Sequence, residues 1–341
     1  MILLGTMIYM EDHRQIKMND KNSSIYIAGH NGMVGSAILN NLISSGIPKE
    51  NIITRSRDEL DLLDQKAVFN FLLEFKPSKV YIAAAKVGGI YANNNDPASF
   101  IYENLVIQNN LIHGSFLAGV KDLLFLGSSC IYPKLSNQPM KESDLLSGYL
   151  EATNEPYAIA KIAGIKMCES YNRQYGEELG LFYKSIMPTN LYGPGDNYDD
   201  KSSHVLPALI SRFHNAKINN LKSVLIWGTG TPLREFLHVD DMAKASIHVM
   251  NLDNDLVKNH TQPQQNHINI GSGDEISIFH LAQMCSEIIE YKGQILLDES
   301  KPDGTPRKLL DSTLIRSMGW SPKISLRDGI KNTYAEFLNS N

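Results

Sequence analysis

The sequence is poor in cysteine and tryptophan and has no uninterrupted apolar run long enough to cross a membrane. Its three cysteines, Cys130, Cys168 and Cys285, are an odd number without paired or metal-ligand spacing. We therefore expect neither a disulfide framework nor a metal site, and this usage fits a reducing cytoplasm. Cys168 and Cys285 lie in helical apolar patterns and are predicted to be core residues.

The opening segment MILLGTMIYM is apolar but only ten residues long. It lacks a basic flank and a polar stretch follows it, so it predicts neither a signal peptide nor a membrane span. We expect residues 1–23 to form a disordered extension before the first strand. Met18, just ahead of that strand, is a candidate for the natural translation start.

The chain also lacks a strong excess of either charge. Its formal net charge is −5, and lysine and arginine are scattered rather than clustered. This argues against nucleic acid and anionic membranes as main partners, so an anionic ligand must be held by a few local cations. With 341 residues, of which 43% are hydrophobic, the chain is long enough for one large or two ordinary globular domains.

What the sequence does contain is an alternation of short β-branched runs with longer helical patterns. The predicted strands are IYIA (25–28), NIIT (51–54), KVYIAA (79–84), LLFLG (123–127) and FYKSIM (182–187). The helices between them are predicted over 33–46, 65–75, 98–119 and 156–176. Such alternation predicts an α/β fold, a Rossmann-type doubly wound parallel sheet covered on both faces.

After residue 190 the pattern becomes mixed, with helices predicted near 204–217, 240–251, 277–290 and 326–338. We therefore expect residues 24–190 to form an NADP-binding Rossmann domain. Residues 191–341 are expected to form mainly a smaller mixed α/β substrate-binding lobe, with some segments returning to the Rossmann domain. The HVDD segment (238–241) is interpreted as a strand end with a helix cap, which gives it a structural role.

Three glycines after the first strand indicate a nucleotide site. Gly29, Gly32 and Gly35 stand where a strand turns into a helix. Glycine permits the close approach of a pyrophosphate, and the helix N-terminus offers free N–H groups. A merely tight turn is the alternative, but the strand before and the helix after favour dinucleotide binding.

The end of the second strand favours NADP over NAD. An NAD site usually places an acidic residue about 20 residues after the glycines, to bind the ribose hydroxyls. Here TRSRDE places Arg55 and Arg57 at that point, and arginine pairs with a 2′-phosphate. A solvated strand end is the alternative reading of these arginines.

Tyr157 and Lys161 lie four residues apart on one predicted helix, so the ammonium can approach the phenol and is expected to lower its pKa. This arrangement is typical of a general acid that protonates a carbonyl during reduction. Ser128 and Cys130 follow the strand LLFLG. If that segment stays extended, both side chains point the same way and Ser129 the other. A small buried hydrophobe is the alternative role for Cys130.

Together these segments resemble the extended short-chain dehydrogenase/reductases, and within them the GDP-L-fucose synthases. The similarity covers residue 24 to the C-terminus and rests on long segments such as AAAKVGGIYANN, FLGSSCIYPK, MPTNLYGPGDN and WGTGTPLREFLHVDDMA. The resemblance implies a bifunctional 3,5-epimerase and NADPH-dependent 4-reductase that converts GDP-4-keto-6-deoxy-D-mannose to GDP-L-fucose. Asn31 departs from the basic residue that relatives often carry in the glycine turn, which removes one contact to a 2′-phosphate.

The resemblance also implies roles for individual residues. Cys130 and His204 would be the acid/base pair of epimerisation, while Tyr157 and Ser128 would bind the C4 oxygen and Lys161 would support Tyr157. For NADP it implies Gly29, Gly32, Met33, Val34, Gly35, Arg57, Asp58, Leu62, Leu126, Gly127, Ser128, Lys161, Pro188, Asn190, Leu191 and His204. For the GDP-sugar it implies Arg212, Trp227, Arg234, Asp303 and Lys308.

Three other functions stay open at this stage. The active site of a C5-epimerase/4-reductase for a 3,6-dideoxy sugar, as in colitose synthesis, would look nearly the same. An NAD-dependent 4-epimerase or 4,6-dehydratase would not need Cys130, and a non-catalytic nucleotide sensor would not need Tyr157 with Lys161. The long helices over 98–119 and 156–176 are expected to pair in a cytoplasmic homodimer, although both could instead be covered within the monomer.

Overall fold

The computed structural model describes residues 24–199, 203–301 and 303–340, so the expectations for residues 1–23 lie outside the described residues. The strands are β1 (Ile25–Ala28), β2 (Ile52–Ile53), β3 (Lys79–Ile82), β4 (Asp122–Leu126), β5 (Phe182–Pro188), β6 (Asn190–Tyr192), β7 (Ser223–Trp227), β8 (Leu233–His238), β9 (His267–Ile270), β10 (Glu275–Ser277), β11 (Gln294–Asp298) and β12 (Arg307–Lys308). The helices are α1 (Met33–Ser44), α2 (Gln65–Phe75), α3 (Ile90–Asn95), α4 (Pro97–Leu117), α5 (Glu155–Leu179), α6 (Val205–Ile218), α7 (Val239–Asn251), α8 (Asn254–His260), α9 (Ile278–Ile289), α10 (Thr313–Ser317) and α11 (Leu326–Ser340).

A parallel sheet forms the centre of the molecule. In the described residues it has six strands in the order β2-β1-β3-β4-β5-β9. β1 and β5 are buried along their whole length, as expected for strands covered on both faces. The predicted α/β fold is thus confirmed. The strand order reverses at β1 and β3, and in such sheets ligands bind beyond the carboxyl ends of the strands near that point.

Helices cover both faces of this sheet. One apolar core lies under α1 and α7 and includes Ile38, Leu42 and Met242. The other lies under α2, α4 and α5 and includes Leu72, Leu111 and the buried thiol of Cys168. Because α7 and β9 come from the second half of the chain, that half contributes both a covering helix and an edge strand.

A smaller unit is built from short strands and three helices. β8 pairs with β6, β10 and β12, and β7 pairs with β11. Its core lies among α6, α9 and α11 and contains Phe213 and the buried Cys285. Both cysteines predicted to be core residues are therefore buried.

Several short elements were not predicted from the sequence. The helices α3, α8 and α10 are each shorter than eight residues, and so short a stretch carries little periodic signal. The HVDD interpretation is confirmed, since His238 ends β8 and its Nδ1 accepts a hydrogen bond from the Asp240 N–H at the start of α7. Within the described residues, no helix is both long and apolar enough to span a membrane.

Candidate active site

The glycine turn after β1 is as tight as a dinucleotide site requires. Gly29 has φ +87°, and a Cβ there would collide with the backbone of Ala84. A Cβ on Gly35 would collide with the Gly29 carbonyl. Gly32 is the N-cap residue of α1, and the N–H groups of Met33 and Val34 in the first turn have no acceptor from a preceding turn of helix. These residues fit a pyrophosphate group held against the helix N-terminus.

The two arginines after β2 have different environments. The Arg55 guanidinium lies 5.4 Å and 5.0 Å from the ring centroids of Phe71 and Phe75 on α2. Arg57 and Asp58 are exposed, and Leu62 is half-buried nearby in the chain. Because the guanidinium of Arg55 is packed on two rings, Arg57 is the more accessible cation for a 2′-phosphate.

The remaining predicted cofactor residues line the ends of β4 and β5. The Gly127 N–H donates to the Ile186 carbonyl at 2.9 Å, and a Cβ at position 127 would collide with the Met187 side chain. Pro188 ends β5 and Leu191 lies in β6. Asn190 does not present a free amide, because its Nδ2 donates to the Glu235 carbonyl at 2.8 Å. That bond holds the start of β6, just after β5, against β8.

The GSSC segment differs from the expected extended strand. Ser128 is extended, with φ −161° and ψ 149°, but Ser129–Ile131 forms a 3₁₀ turn. The Ser128 hydroxyl oxygen accepts a hydrogen bond from the Cys130 N–H at 3.3 Å and caps that turn. The expectation that this segment stays extended, with side chains alternating between its two sides, is therefore wrong. Ser129 is buried, and the turn leaves Ser128 and Cys130 half-buried in the same region.

Tyr157 and Lys161 meet on α5, but their electrostatics differ from expectation. Burial and the nearby Cys130 raise the pKa of Tyr157 well above its ordinary value, against a lowering by its hydrogen bond with the Ser128 side chain. The expected lowering by Lys161 is wrong for this structure. The Lys161 Nζ donates to the Leu126 carbonyl at 2.8 Å and lies 5.8 Å from the centroid of the Tyr157 ring. Burial lowers its own pKa to about 7.

The sulfur of Cys130 receives two side-chain donors. Asn154 Nδ2 lies 3.3 Å from Sγ, and Lys308 Nζ lies 3.8 Å from it. An amide donor and an ammonium group thus both approach this sulfur. Asn154 was missed by sequence reasoning, although an asparagine just before a helix is a recognisable capping signal.

His204 stands at the start of α6, where its side chain makes no capping bond within the described residues. The pKa of His204 is lowered, first by the loss of water around the imidazole and then by the charge of Lys308. Lys308 thus influences both His204 and Cys130. An imidazole that is neutral near pH 7 can accept a proton, and once protonated it is a stronger acid than an ordinary histidine.

The predicted substrate residues form two groups on the smaller unit. The Arg212 guanidinium lies 5.7 Å from the Trp227 ring, which is 60% exposed. Arg234 and Lys308 are opposite each other in the pairing of β8 with β12. Asp303 accepts hydrogen bonds from the Thr229 N–H and hydroxyl at 3.0 Å and 2.7 Å. An exposed ring between cations suits a base and its phosphates.

A family model described as the NAD dependent epimerase/dehydratase family matches residues 25–271. The chain belongs to this family. It is 57% identical to GDP-L-fucose synthase of Escherichia coli K12 over 92% of this chain and 96% of that protein. It is 52% identical to GDP-L-fucose synthase 1 of Arabidopsis thaliana over 94% and 95% of the two chains, and 40% identical to GDP-L-colitose synthase of Yersinia pseudotuberculosis over 92% and 98%.

Solved structures of this family show the same architecture. A Campylobacter jejuni GDP-D-glycero-L-gluco-heptose synthase in the presence of NADPH superposes with a TM-score of 0.86 at 40% identity, covering 94% of this chain and 99% of that one. A Naegleria fowleri GDP-L-fucose synthetase bound to NADP gives a TM-score of 0.83 at 25% identity, covering 94% and 95%.

Proposed function

We propose that this chain is a bifunctional 3,5-epimerase and NADPH-dependent 4-reductase that converts GDP-4-keto-6-deoxy-D-mannose to GDP-L-fucose. The observation that carries the proposal is the position of Cys130. Its sulfur lies beside the Ser128–Tyr157 pair of a reductase and within reach of Lys308. An ordinary reductase or an NAD-dependent 4-epimerase has no use for a thiol there, whereas epimerisation beside a ketone requires a proton acceptor.

Bound NADPH supplies the hydride for the ketone at C4. The glycine turn, the N–H groups of Met33 and Val34, and Arg57 are the residues that fit it. Tyr157 and Ser128 would hold the ketone oxygen. The raised pKa of Tyr157 keeps the proton on the phenol near neutrality, so Tyr157 can donate it to the alkoxide that forms. Lys161 holds the end of β4 through the Leu126 carbonyl beneath this pair.

Epimerisation would use the same pair of oxygen ligands. A proton on C3 or C5 leaves to one side of the sugar ring, and the bonding electrons move to the ketone oxygen, which Tyr157 and Ser128 stabilise as an enolate. Return of a proton to the other face inverts the centre. Cys130 and His204 would be the two groups that exchange these protons. One oxygen-binding site therefore serves both reactions.

The GDP group would be held by the smaller unit. Arg212 and Trp227 would bind the nucleotide, and Arg234, Asp303 and Lys308 would hold the phosphates and the sugar, since Lys308 pairs with Arg234 and lies 3.8 Å from the Cys130 sulfur. We therefore propose the division expected from the sequence, with residues 24–190 forming mainly the NADP domain. Residues 191–341 would then form mainly the substrate lobe, apart from α7 and β9, which join the central sheet.

The test is turnover of GDP-4-keto-6-deoxy-D-mannose with NADPH in D₂O. We expect a product with fucose configuration and deuterium at both C3 and C5. Deuterium at C5 alone, or faster turnover of the 3-deoxy ketosugar, would instead indicate the colitose-type reaction. Absence of NADPH oxidation with either ketosugar would contradict the proposal. Comparison of KM for NADPH and NADH in wild type and Arg57→Ala checks the cofactor preference.

We further propose that the protein is a cytoplasmic homodimer without nucleic acid or membrane partners. Support for a dimer comes from apolar side chains that remain exposed on α4 and α5. Tyr102, Leu117 and Ile159 are 65%, 46% and 41% exposed. The moderate negative charge and the free cysteines support a cytoplasmic location without a polyanionic partner.

A further inference from the structure

Asn154 occupies a helix-capping position but does not cap the helix. It immediately precedes α5, and within the described residues its side chain makes no hydrogen bond to the first N–H groups of that helix. Asparagine is favoured at this position because its side-chain oxygen can accept a hydrogen bond from those N–H groups. The side chain instead extends toward Cys130, where Nδ2 lies 3.3 Å from Sγ. The amide is thus directed at the thiol and away from its own helix.

The other end of the same amide is also unusual. Asn154 Oδ1 is inaccessible to solvent and has no hydrogen-bond partner among the described residues. Buried polar atoms are nearly always paired in folded proteins, so an unpaired oxygen on this amide indicates that the side chain is held by its bond to the sulfur and not by a bond of its own oxygen. Within the described residues, the one hydrogen bond of the Asn154 side chain is therefore the bond from Nδ2 to the Cys130 sulfur.

We infer that Asn154 is a positioning residue that orients Cys130 as the proton acceptor of epimerisation. This inference rests on the proposed function. When a carbon beside the ketone loses its proton to the sulfur, the C–H bond breaks, an S–H bond forms and the electron pair moves to the ketone oxygen. The N–H donor of Asn154 stabilises the thiolate that must exist before this step and fixes one lone pair of the sulfur, leaving another toward the substrate.

The position of Asn154 also couples the two reactions. It stands three residues before Tyr157, at the start of the helix that carries both Tyr157 and Lys161. The same helix end therefore places the donor to the thiol and the acid for the ketone oxygen. Lys308 adds charge to the sulfur from a different strand, at the longer distance of 3.8 Å. The hydrogen bond from Asn154 orients the sulfur, and the positive charge of Lys308 attracts negative charge on it.

The experiment measures the alkylation rate of Cys130 by iodoacetamide against pH, followed peptide by peptide with mass spectrometry and without any sugar present. Cys168 and Cys285 are fully buried, so their peptides serve as internal references. For Asn154→Leu we expect the midpoint of Cys130 alkylation to rise by about one pH unit, because a hydrogen bond to a charged group is lost. Asn154→Asp should raise it at least as much, since a carboxylate repels the thiolate.

Asn172→Asp is the matched control. Asn172 lies on the same helix, and its amide makes two hydrogen bonds with the backbone of Tyr183. Its substitution should lower the melting temperature and leave the alkylation midpoint unchanged. An unchanged midpoint in both Asn154 variants would overturn the inference, as would an equal shift in Asn172→Asp, because that would indicate a general structural effect.

A second measurement connects the inference to catalysis. With the ketosugar in D₂O and no NADPH, deuterium entry at C3 and C5 should slow by about tenfold in Asn154→Leu, while NADPH binding stays unchanged. Deuterium entry at the wild-type rate would contradict the role in epimerisation. If wild type itself shows no exchange, the proposed function fails, but the alkylation midpoints still decide whether Asn154 controls the thiol.

Discussion

Cys130 combines three properties at the scale of a single residue. Its side chain is half-buried in the cleft, its N–H is held by the Ser128 hydroxyl, and its sulfur accepts from an amide and an ammonium. A cysteine that only fills a core would belong to a buried apolar cluster, as Cys168 and Cys285 do. Burial raises the pKa of each of those two thiols to about 12, which leaves them inert.

Substitution Cys130→Ala should separate epimerisation from nucleotide binding. We expect deuterium entry at C3 and C5 to fall by about 100-fold, because a general acid–base group of this kind contributes at least that much. NADPH binding, measured by fluorescence, should stay at the wild-type level. Cys285→Ala is the control and should lower stability without slowing exchange. Near-normal exchange in Cys130→Ala would assign this cysteine to packing alone.

His204→Gln should give a different pattern from Cys130→Ala. The sulfur keeps both of its donors in this variant, so it can still take a proton from the sugar and return one to the same face. We therefore expect the recovered ketosugar to gain deuterium while inverted product fails to accumulate. The measurement is mass spectrometry of the recovered sugar beside NMR of its configuration. Inversion at the wild-type rate would exclude His204 from the pair.

Among the elements, α5 and the 3₁₀ turn after β4 carry the residues proposed for the chemistry. The long helix brings Tyr157 and Lys161 under the end of β4, and Gly164 lets it lie closely against the Phe125 ring, since a Cβ there would overlap that ring. Close packing of this kind buries Lys161, which explains its low pKa. Burial of a protonated lysine lowers the free energy of unfolding. This contribution depends on pH, because the folded and unfolded chains release the proton at different pH values.

Lys161→Met should remove a measurable pH dependence of stability. In the folded chain the pKa of Lys161 is about 7, against an ordinary 10.5. Between these values the unfolded chain binds more protons, so the free energy of unfolding of wild type rises with pH, and the cost is fully present below about pH 7. From pH 7 to 9 we expect wild type to gain on the order of 2 kcal/mol relative to Lys161→Met.

Urea titrations at several pH values measure this difference. Lys66→Met is the control, because Lys66 lies exposed on α2 and its replacement should leave the pH dependence of wild type intact. Parallel curves for wild type and Lys161→Met would show that Lys161 keeps its proton in the folded protein. The substituted chain should also lose reductase activity, since the support beneath Tyr157 is changed.

In the molecule as a whole, the proposed catalytic and substrate groups come from both units, and Lys308 on β12 lies 3.8 Å from the Cys130 sulfur after the end of β4. Glu235 on β8 is fully buried, and its carboxylate accepts from the Gly273 and Leu310 N–H groups at 2.7 Å and 3.1 Å. Those bonds tie the loop after β9 and the segment after β12 to β8. Because Lys308 precedes Leu310 by two residues, the same carboxylate holds the strand that presents Lys308 to Cys130.

The proposed dimer makes a prediction at this scale. Sedimentation velocity of wild type at micromolar concentration should give twice the monomer mass, and Ile159→Arg should give a monomer, because a charge would be buried in an apolar interface. Ile218→Arg is the control, since Ile218 is 59% exposed at the end of α6, away from α4 and α5. A monomeric wild type, or a dimer that persists in Ile159→Arg, would contradict pairing through these helices.

The features that depend on neighbours along the chain follow from the order of residues alone. The strand–helix alternation gave the parallel sheet, the three glycines gave the turn before α1, and the spacing of Tyr157 and Lys161 placed them on one helix. Each follows from backbone geometry over a few residues, so the order of residue types is enough to predict it. The resemblance to known enzymes implied roles for Cys130 and Lys308, but it did not predict that their side chains are in contact.

The surroundings of those groups depend on contacts between segments that are distant in the sequence. Lys308 reaches Cys130 across 178 residues of sequence, and Asn154 reaches it across 24. The raised pKa of Tyr157 and the lowered pKa of Lys161 come chiefly from burial, which depends on packing by distant segments. The 3₁₀ turn replaced the expected extension because the Ser128 hydroxyl caps it locally. Local sequence patterns therefore predict the helices and strands, whereas packing between distant parts of the chain sets the contacts and pKa values of the site residues.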